Sequence, residues 1–376
     1  MNVEIGKNIK QTKGFSAFVP TQFPPKGLSN ISLPILLKAA EADRLVGKLD
    51  GITHTLPDVD FFLKMFVAKD AASSAQIEGT KATMVEAIEK NVGVAEDETD
   101  ADDILFYIKA LNYGAKRLEK FPLSLRLIRE IHQQLMAGAR STQFSDPGEF
   151  RHSQNWIGGT LSSNALFVPP PVHDMHRALH DFEAFLRQES QVLPLLHIAL
   201  THGQFETIHP FLDGNGRTGR LLITMLLCHR QLLERPVLFL SSFFKRHQKL
   251  YYQRLNGYHE GEIDPWLDFF LEGVITTANE SIAVSKEIRK LRDDDMAKVQ
   301  SLAKRESESG VLILSHLFAQ PIVTTAIIMK WTGFTRAGAQ GVLDRFIGLG
   351  ILEVRDKKET YDRSYQYTRY IKLFSK

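Results

Sequence analysis

The sequence is poor in cysteine, in net charge and in long hydrophobic runs. Its single cysteine, Cys228, excludes a disulfide within the chain and a cysteine-based metal cluster. With 46 Lys and Arg against 44 Asp and Glu, the formal charge is +2, so the whole chain has no strong attraction for nucleic acid or anionic lipid. The apolar run at 221–228 is shorter than the roughly 20 residues of a membrane span, and the N-terminus lacks a signal-peptide core. These absences predict a cytoplasmic protein without membrane association.

The composition itself is that of a globular protein. Hydrophobic residues make up 43% and charged residues 24% of the 376 residues, which suits two or three domains with buried cores. Apolar residues recur at three- and four-residue spacings over 58–78, ending at Gly79, and again from 104 to about 138. Several prolines break any long helix in residues 1–35, so we expect that segment to be irregular. The pattern predicts a mainly α-helical fold.

Two segments depart from the helical pattern. In 155–171, short apolar runs flank a middle rich in Gly, Ser and Asn, which is typical of a β-hairpin inserted between helices. Beyond Gly310, three helical segments and two strands follow in the order of a winged helix. We therefore expect three parts, which are a helical N-terminal region (1–104), a helical core (105–285) and a linker helix with a winged helix (286–376).

The segment 209–220 (HPFLDGNGRTGR) interrupts two apolar helices. Gly214 or Asn215 suits the N-cap of the second helix, where unpaired N–H groups and the positive end of the helix dipole form an anion site. Arg217 and Arg220 lie three residues apart, on one helical face. Because cations are unfavourable at the start of a helix unless an anion is present, these two guanidinium groups point to a phosphate ligand.

Two further side chains in the same segment suit phosphate chemistry. Asp213 has the carboxylate that Mg²⁺ takes together with substrate phosphates and water. The imidazole of His209 is the natural group to take a proton from an attacking hydroxyl. Base, metal ligand, phosphate site and paired arginines together predict phosphoryl or nucleotidyl transfer, in which positioning and charge stabilisation do most of the catalysis.

Two other interpretations compete with this one. Gly214, Gly216 and Gly219 match the dinucleotide pattern G-x-G-x-x-G, but that motif must follow a parallel strand, and the residues before it are helical. His173, His176 and His180 share a helical face, and without a carboxylate or cysteine at recognised spacing we expect them to be surface histidines and not a metal site.

Over 209–220 the chain resembles the Fic family, whose signature HPFx(D/E)GNGRxxR it reproduces without a departure. The resemblance implies transfer of AMP from Mg-ATP to a hydroxyl of a protein, with His209 as general base, Phe211 as a core anchor and Asp213 as the Mg²⁺ ligand. Nucleotide contacts are implied for Gly214, Asn215, Gly216, Arg217, Thr218, Gly219 and Arg220. Glycine at 216, where the kinase-like Doc branch has lysine, favours AMP transfer.

Three further segments are similar to parts of the same family. The hairpin 155–171 resembles the flap that docks the target polypeptide, and Tyr251 lies in a segment similar to the one lining the adenine pocket. Ser74 and Glu78 fit the inhibitory pattern (S/T)xxxE(G/N), in which the glutamate pairs with the second arginine, here Arg220. The resemblance thus implies ATP and Mg²⁺ as ligands, a protein substrate (the chain itself included), a homodimer and autoinhibition by Glu78.

Two alternatives remain open at this stage. In some family members the inhibitory glutamate instead positions a water that removes AMP, so Glu78 suits a de-AMPylase as well. Residues 310–376 also suit a DNA-binding regulator, although the cations near the expected recognition helix, among them Arg336 and Arg345, are offset by neighbouring acids. Weak net charge argues against strong DNA binding.

Overall fold

A two-stranded hairpin begins the chain in the computed structural model, which describes residues 3–12, 14–27, 31–54, 59–94, 100–138, 146–188, 192–355 and 363–374. Strands β1 (Gly6–Lys10) and β2 (Ser16–Pro20) pair antiparallel. The expectation of an irregular 1–35 is therefore wrong for this stretch. Phe18 N–H in β2 donates to Val168 O at 2.8 Å, so β2 is supported by a segment 150 residues away along the chain, which local patterns do not reveal.

Three helices follow the hairpin, and the second of them is the one predicted over 58–78. Their bounds are α1 (Leu33–Thr53), α2 (Val59–Ile77) and α3 (Met84–Asn91). Gly79, two residues after α2, has a φ of 97°, a conformation that only glycine adopts without strain. Thr83 and Glu86 form a reciprocal capping box at the start of α3.

Five central helices carry the core around the 209–220 segment: α4 (Ala101–Leu118), α5 (Leu125–Met136), α6 (Val172–Arg187), α7 (Pro194–Ile208) and α8 (Asn215–His229). The helical stretch predicted from 104 to 138 is two helices, because Ser124 starts a new one by accepting a hydrogen bond from Leu127 N–H. Helix α7 is buried on all sides from Leu195 to Ile208, so its sequence shows no polar face. Burial raises the pKa of the Cys228 thiol in α8 to about 12.

Three helices then wrap the core: α9 (Ser241–Arg246), α10 (Gln248–His259) and α11 (Ile263–Gln300). Helix α11 has 38 residues and lies along α1. It continues through residue 286, and α4 continues through residue 105, so both expected domain boundaries fall inside helices. The division into three parts stays a prediction.

The C-terminal segment alternates short helices and strands: α12 (Lys304–Ala319), β3 (Ile322–Thr324), α13 (Thr325–Thr332), α14 (Arg336–Gly348), β4 (Glu353–Val354), β5 (Ser364–Gln366) and α15 (Thr368–Lys372). The three strands pair antiparallel in the order β3-β5-β4. The winged-helix assignment stays a prediction. The strand expected from Ser364 onward stops at Gln366, since Tyr367, Tyr370 and Ile371 are buried at helical spacing.

Two sets of contacts attach this segment to the rest of the chain. Asp295 in α11 is fully buried and accepts hydrogen bonds from Tyr367 at 2.6 Å, from Arg369 at 2.6 Å and from Lys298 at 2.8 Å. Phe318 packs edge-on against Phe62 in α2, with ring centroids 5.1 Å apart. Within the described residues, no helix combines the length and hydrophobicity that a bilayer crossing requires.

Candidate active site

The loop between α7 and α8 has a residue in the left-handed backbone conformation at each end. His209, just after α7, has φ 49° and Gly214, the N-cap of α8, has φ 75°. Asn215 closes the loop between them, since its Oδ1 accepts from Phe211 N–H and its Nδ2 donates to Phe211 O, both at 2.8 Å. These contacts are local to the predicted segment and fix its path from His209 to the start of α8.

Phe211 anchors the loop, as the family resemblance implied. Its ring is fully buried and stacks on His132 of α5, with centroids 3.7 Å apart. His132 Nδ1 accepts from Gly148 N–H at 2.9 Å, so Nε2 is the protonated nitrogen that donates to Asp213 O at 2.9 Å. Burial lowers the pKa of His132 to about 4, which keeps this ring neutral.

Arg151 joins the loop to the flap. Its side chain is 1% exposed and donates to the carbonyl oxygens of His209 (3.0 Å), Ser153 (3.2 Å) and Pro170 (2.5 Å). A guanidinium has five donors in a fixed fork and therefore can satisfy several carbonyls at once. Arg151 and His132 are not predictable from the local sequence, because each lies at least 50 residues from the segment that it supports.

The His209 imidazole has the protonation state that a base needs. Burial, with the nearby charge of Arg151, lowers the pKa of His209 to about 4. The ring is therefore neutral at pH 7 and one of its nitrogens is free to take a proton. Nδ1 lies 3.7 Å from Glu206 Oε2, one turn back on α7.

The start of α8 is an anion site with a carboxylate beside it. An α-helix leaves its first N–H groups without intrahelical acceptors, here those of Asn215, Gly216 and Arg217, whereas Thr218 N–H donates to Gly214 O at 2.9 Å. The Asp213 side chain is 43% exposed and bends back to accept from Gly214 N–H at 2.6 Å. One exposed carboxylate next to phosphate donors suits Mg²⁺, which fills its remaining positions with phosphate oxygens and water.

Arg220 faces α2 and is fully engaged there. Its Nε donates to Ser74 Oγ at 2.8 Å, and one terminal nitrogen donates to Ser74 O at 3.1 Å and to Glu78 Oε1 at 2.6 Å. Burial alone would lower the pKa of Arg220, but the Glu78 carboxylate raises it above its usual range. Glu78 also lies against the start of α8, since a Cβ on Gly216 would be 2.4 Å from its Oε1.

Arg217 does not share this face. It is buried on the side of α4 and α5, where its terminal nitrogens lie 3.7 Å from Asp103 Oδ1 and 3.8 Å from Asp213 Oδ1. The expectation that Arg217 and Arg220 lie on one helical face is therefore wrong. Three residues rotate the helix by about 300°, so the two positions differ by about 60° around its axis. The two long side chains then diverge to different carboxylates. Thr218 is also buried, so its side chain lies inside the core.

Tyr251, which the resemblance placed in the segment lining the adenine pocket, is buried in the core. It is 1% exposed, and its hydroxyl donates to His202 Nε2 at 2.8 Å, since His202 Nδ1 is committed to Gly219 O at 3.1 Å. The neighbouring Tyr252 is partly exposed, and burial, followed by the Glu78 carboxylate, raises its pKa. The contact of Tyr251 with a nucleotide stays a prediction.

The flap over 155–171 forms only a minimal hairpin. Ile157 and Phe167 make an isolated antiparallel bridge, with Ile157 N–H donating to Phe167 O at 2.8 Å. Three large apolar side chains stand exposed on it: Trp156, Leu161 and Leu166. The N–H groups of Thr160 and Leu161 are bonded to Asn164 Oδ1, so what the flap presents to an extended polypeptide is its exposed apolar side chains.

The two competing interpretations of the sequence do not suit this geometry. The glycines of 214–219 follow helix α7 and the 209–214 loop, whereas a dinucleotide fingerprint follows a parallel strand. Within the described part of the chain, no three His, Cys, Asp or Glu side chains converge to hold a metal ion, those of His173, His176 and His180 included.

Comparison with known proteins agrees with the signature. The profile of the Fic/DOC family matches residues 122–227, and that of the Fic/DOC family N-terminal region matches residues 36–116. The Protein adenylyltransferase Fic of Drosophila grimshawi is 29% identical over 256 residues, which are 65% of this chain and 48% of the relative. That of Drosophila persimilis is 28% identical over 281 residues, 71% and 49% of the two chains. The chain thus spans about half the length of the curated relatives it matches.

Solved structures share the fold. A Fic family protein from Desulfovibrio desulfuricans superposes with a TM-score of 0.56 at 19% identity, covering 90% of this chain and 97% of that one. Fic-1 from C. elegans superposes with a TM-score of 0.54 at 19% identity, covering 68% and 74%. The mainly α-helical fold is thus shared with both of these structures.

Proposed function

The chain belongs to the Fic/DOC family, and from that premise we propose that it is a protein adenylyltransferase that moves AMP from ATP to a hydroxyl group of a protein. The observation that carries the proposal is the start of α8. There a neutral imidazole, an exposed carboxylate and unpaired backbone N–H groups lie within the 209–217 stretch of chain. Proton acceptor, metal ligand and anion site are the parts that nucleotidyl transfer needs.

Each part of the loop has a distinct task in this reaction. His209 accepts the proton of the target hydroxyl as its oxygen forms a bond to the α-phosphorus, while the bond from that phosphorus to the bridging oxygen breaks and diphosphate leaves with the electron pair. The N–H groups at the start of α8 stabilise the charge on the phosphate oxygens. Asp213 would hold Mg²⁺, which neutralises phosphate charge when bound.

The flap supplies the docking site for the target. Its exposed Trp156 and Leu166 suit an extended polypeptide that lies along the flap. Arg151 couples the flap to the loop because it binds the carbonyls of Pro170 and His209. A docked hydroxyl is thereby held in a constant relation to the base, whether the target is another protein or a second copy of this chain.

Glu78 inhibits the reaction in this conformation. On the side of α2, the buried cation that the described site could offer to a phosphate is Arg220, the second arginine of the motif. In this conformation its hydrogen bonds go to Ser74 and Glu78. A carboxylate at this place also repels phosphate. We therefore propose that α2 must release Arg220 before ATP is bound productively.

Incubation with ATP and Mg²⁺ followed by intact-mass measurement tests the proposal. We expect the Glu78→Gly variant to gain the mass of AMP on itself or on a partner protein, and the Glu78→Gly/His209→Ala variant to gain none. General-base removal costs about 10²–10⁴-fold in rate. Labelling that persists in the double variant would contradict the role of His209, and phosphate in place of AMP would contradict the reaction.

A further inference from the structure

A buried carboxyl group lies directly behind the proposed base. Glu206 belongs to the last turn of α7 and is 6% exposed. Its Oε2 lies 3.7 Å from His209 Nδ1, which is just beyond hydrogen-bond distance. A buried carboxyl without strong pairing is costly, and the described fold gives it no obvious structural task.

Each of the two side chains has a buried polar atom without a hydrogen-bond partner. Glu206 Oε1, which lies beside Gly219, has none among the described residues. His209 Nδ1 faces Glu206 Oε2 and the backbone carbonyl of Glu206 and makes no hydrogen bond of normal geometry. A buried carboxyl and a buried ring nitrogen that lie 3.7 Å apart, each side chain with an unpaired atom, indicate an interaction that is not closed in this conformation. Closing it requires Nδ1 and Oε2 to approach to the hydrogen-bond range of about 2.7–3.2 Å.

The backbone around the pair is fixed, so only the side chains need to move. His209 N–H donates to Phe205 O at 2.9 Å, and its carbonyl accepts from Arg151 Nε at 3.0 Å. Space for the carboxyl is also provided: a Cβ on Gly219 would be 2.4 Å from Glu206 Oε1. Gly219, for which the resemblance implied a nucleotide contact, therefore makes room for Glu206.

We infer that Glu206 is a positioning residue for His209, which accepts a hydrogen bond from Nδ1–H and so leaves Nε2 as the nitrogen that takes the proton of the target hydroxyl. This inference rests on the proposed function. In the transfer step the proton passes from the hydroxyl to Nε2, and the resulting imidazolium, with a proton on each nitrogen, is stabilised by the carboxylate at Nδ1. A carboxylate behind an imidazole acts in this way in hydrolytic triads.

The inhibitory glutamate also acts on Glu206. Burial raises the pKa of Glu206 to about 8; Arg220 opposes this and Glu78 adds to it. The other titratable groups that face the carboxyl are His209 on its own helix and Tyr251 and Tyr252 on α10. Departure of Glu78 therefore favours the ionised form of Glu206, so one movement of α2 would free Arg220 and prepare the base.

The test compares variants in the released background. We expect Glu78→Gly/Glu206→Gln to transfer AMP with a kcat about 10- to 100-fold below that of Glu78→Gly, while the KM for ATP changes by less than about threefold. The amide keeps the shape of the side chain and loses its charge. A matched control is Glu78→Gly/Thr207→Val, at the next position of α7, where the hydroxyl bonds only Gly203 O of its own helix; its kcat is expected to match Glu78→Gly.

Stability separates a positioning role from a structural one. Because the carboxyl is buried, its replacement by a neutral amide is expected to leave the thermal midpoint equal or higher while the rate falls. Glu206→Met, which fills the same space without a polar atom, gives the same comparison should the amide variant fail to fold. A kcat equal to that of Glu78→Gly, or a fall that Thr207→Val reproduces, overturns the inference.

A spectroscopic readout keeps the inference testable if no transfer is found at all. Histidine-selective ¹⁵N labelling reports which ring nitrogen carries hydrogen, and the His209→Ala spectrum assigns the signal. In Glu78→Gly we expect His209 with hydrogen on Nδ1, and a shift in this tautomer balance when Glu206 becomes Gln. An unchanged His209 signal overturns the inference, whereas absent AMP transfer with a changed signal overturns only the proposed activity.

Discussion

At the scale of single residues, the state of the site depends on which groups bind Arg220. Arg220 lies in the second turn of α8, near the helix start, where a cation is unfavourable without an anion. In this conformation the anion is the Glu78 side chain of the same chain. Ser74 and Glu78 supply three acceptors to it, and Glu78 is 37% exposed, so one side of the contact is open to water. Such a contact can be exchanged for a phosphate at modest cost.

Removing the Glu78 side chain is therefore expected to raise AMP transfer. A hydrogen bond between charged groups contributes about 1.5–3 kcal/mol, which corresponds to roughly 10- to 100-fold in the availability of Arg220. We expect the initial rate of Glu78→Gly, measured with radiolabelled ATP, to exceed that of the unmodified chain by this factor.

The exposed Lys81, three residues further on, provides the control for that measurement. Lys81→Ala changes a charge near the end of α2 without touching Arg220 and is expected to label at the rate of the unmodified chain. Equal labelling of Glu78→Gly and the unmodified chain would show that Arg220 is not limiting.

The residues that the sequence could predict are those contiguous in the chain. His209, Asp213, Gly214 and Asn215 act through the backbone path of one loop, so the signature places them together. His132 and Arg151 come to the loop from other elements, and nothing in their local patterns marks them. Of the supporting residues outside the signature, Glu206 was predictable from the sequence, because an acidic residue one turn before the base is unusual in a helix rich in apolar residues.

At the scale of elements, the flap is held more by one side chain than by its own strand pairing. It has a single bridge, whereas Arg151 beneath it donates to carbonyls on both the flap and the loop. Burial lowers the pKa of Arg151 to about 10, which still leaves it charged at pH 7. Arg151 therefore links the flap to the base through its own hydrogen bonds.

Arg151→Met is expected to lower the free energy of unfolding by about 2–4 kcal/mol, because it leaves buried carbonyls without donors. Urea denaturation followed by tryptophan fluorescence measures this. Arg126→Met is the control, since that arginine is 84% exposed on α5 and its ion pair with Glu130 is expected to contribute less than about 1 kcal/mol. A similar loss in both variants would remove Arg151 as the flap's anchor.

Elements were predictable to the extent that their patterns were local. The sequence predicted both α2 and its C-terminal end, because the apolar spacing lies within the helix and Gly79 lies at its boundary. The β1–β2 hairpin was missed because β2 is supported by the flap residue Val168 and not by its own turn signals. The final strand was extended too far because alternation up to Tyr367 masked the helical spacing that follows.

At the scale of the whole molecule, the C-terminal segment is fastened to the long helix α11 at one buried carboxylate. Burial alone would raise the pKa of Asp295, but hydrogen bonds from Arg369, Lys298 and Tyr367 lower it. Phe318 and Phe374 add contacts with Phe62 and Phe66 at the beginning of α2. The C-terminal segment thus contacts α2, the helix that ends just before Glu78.

Loss of the Asp295 carboxylate is expected to destabilise this attachment. Removing one partner of a fully buried pair costs about 3–5 kcal/mol, and since Lys298 and Arg369 are each 40% exposed, we expect about 2–3 kcal/mol for Asp295→Ala in urea denaturation. Asp293→Ala, two residues earlier and mostly exposed, is expected to change the unfolding free energy by less than about 0.5 kcal/mol. Equal values for the two variants would refute the attachment.

Partners of the whole molecule stay predictions. Arg345, one of the cations expected to face DNA, is paired with Glu306 at 2.6 Å, which leaves it less available to phosphate. The resemblance implied a homodimer, and the element order left DNA binding through 310–376 open as an alternative; neither follows from the contacts within one chain. Lys357 and Lys358, near the expected wing, lie outside the described residues.

The lone thiol of the chain has a practical consequence. Cys228 sits in α8 with its pKa raised to about 12, so at neutral pH almost none of it is thiolate, the form that reacts with maleimides. A second cysteine placed at the exposed flap position Leu166 would carry a fluorophore with little background. Docking of a polypeptide on the flap would then be visible as an optical signal, without any chemistry at the loop.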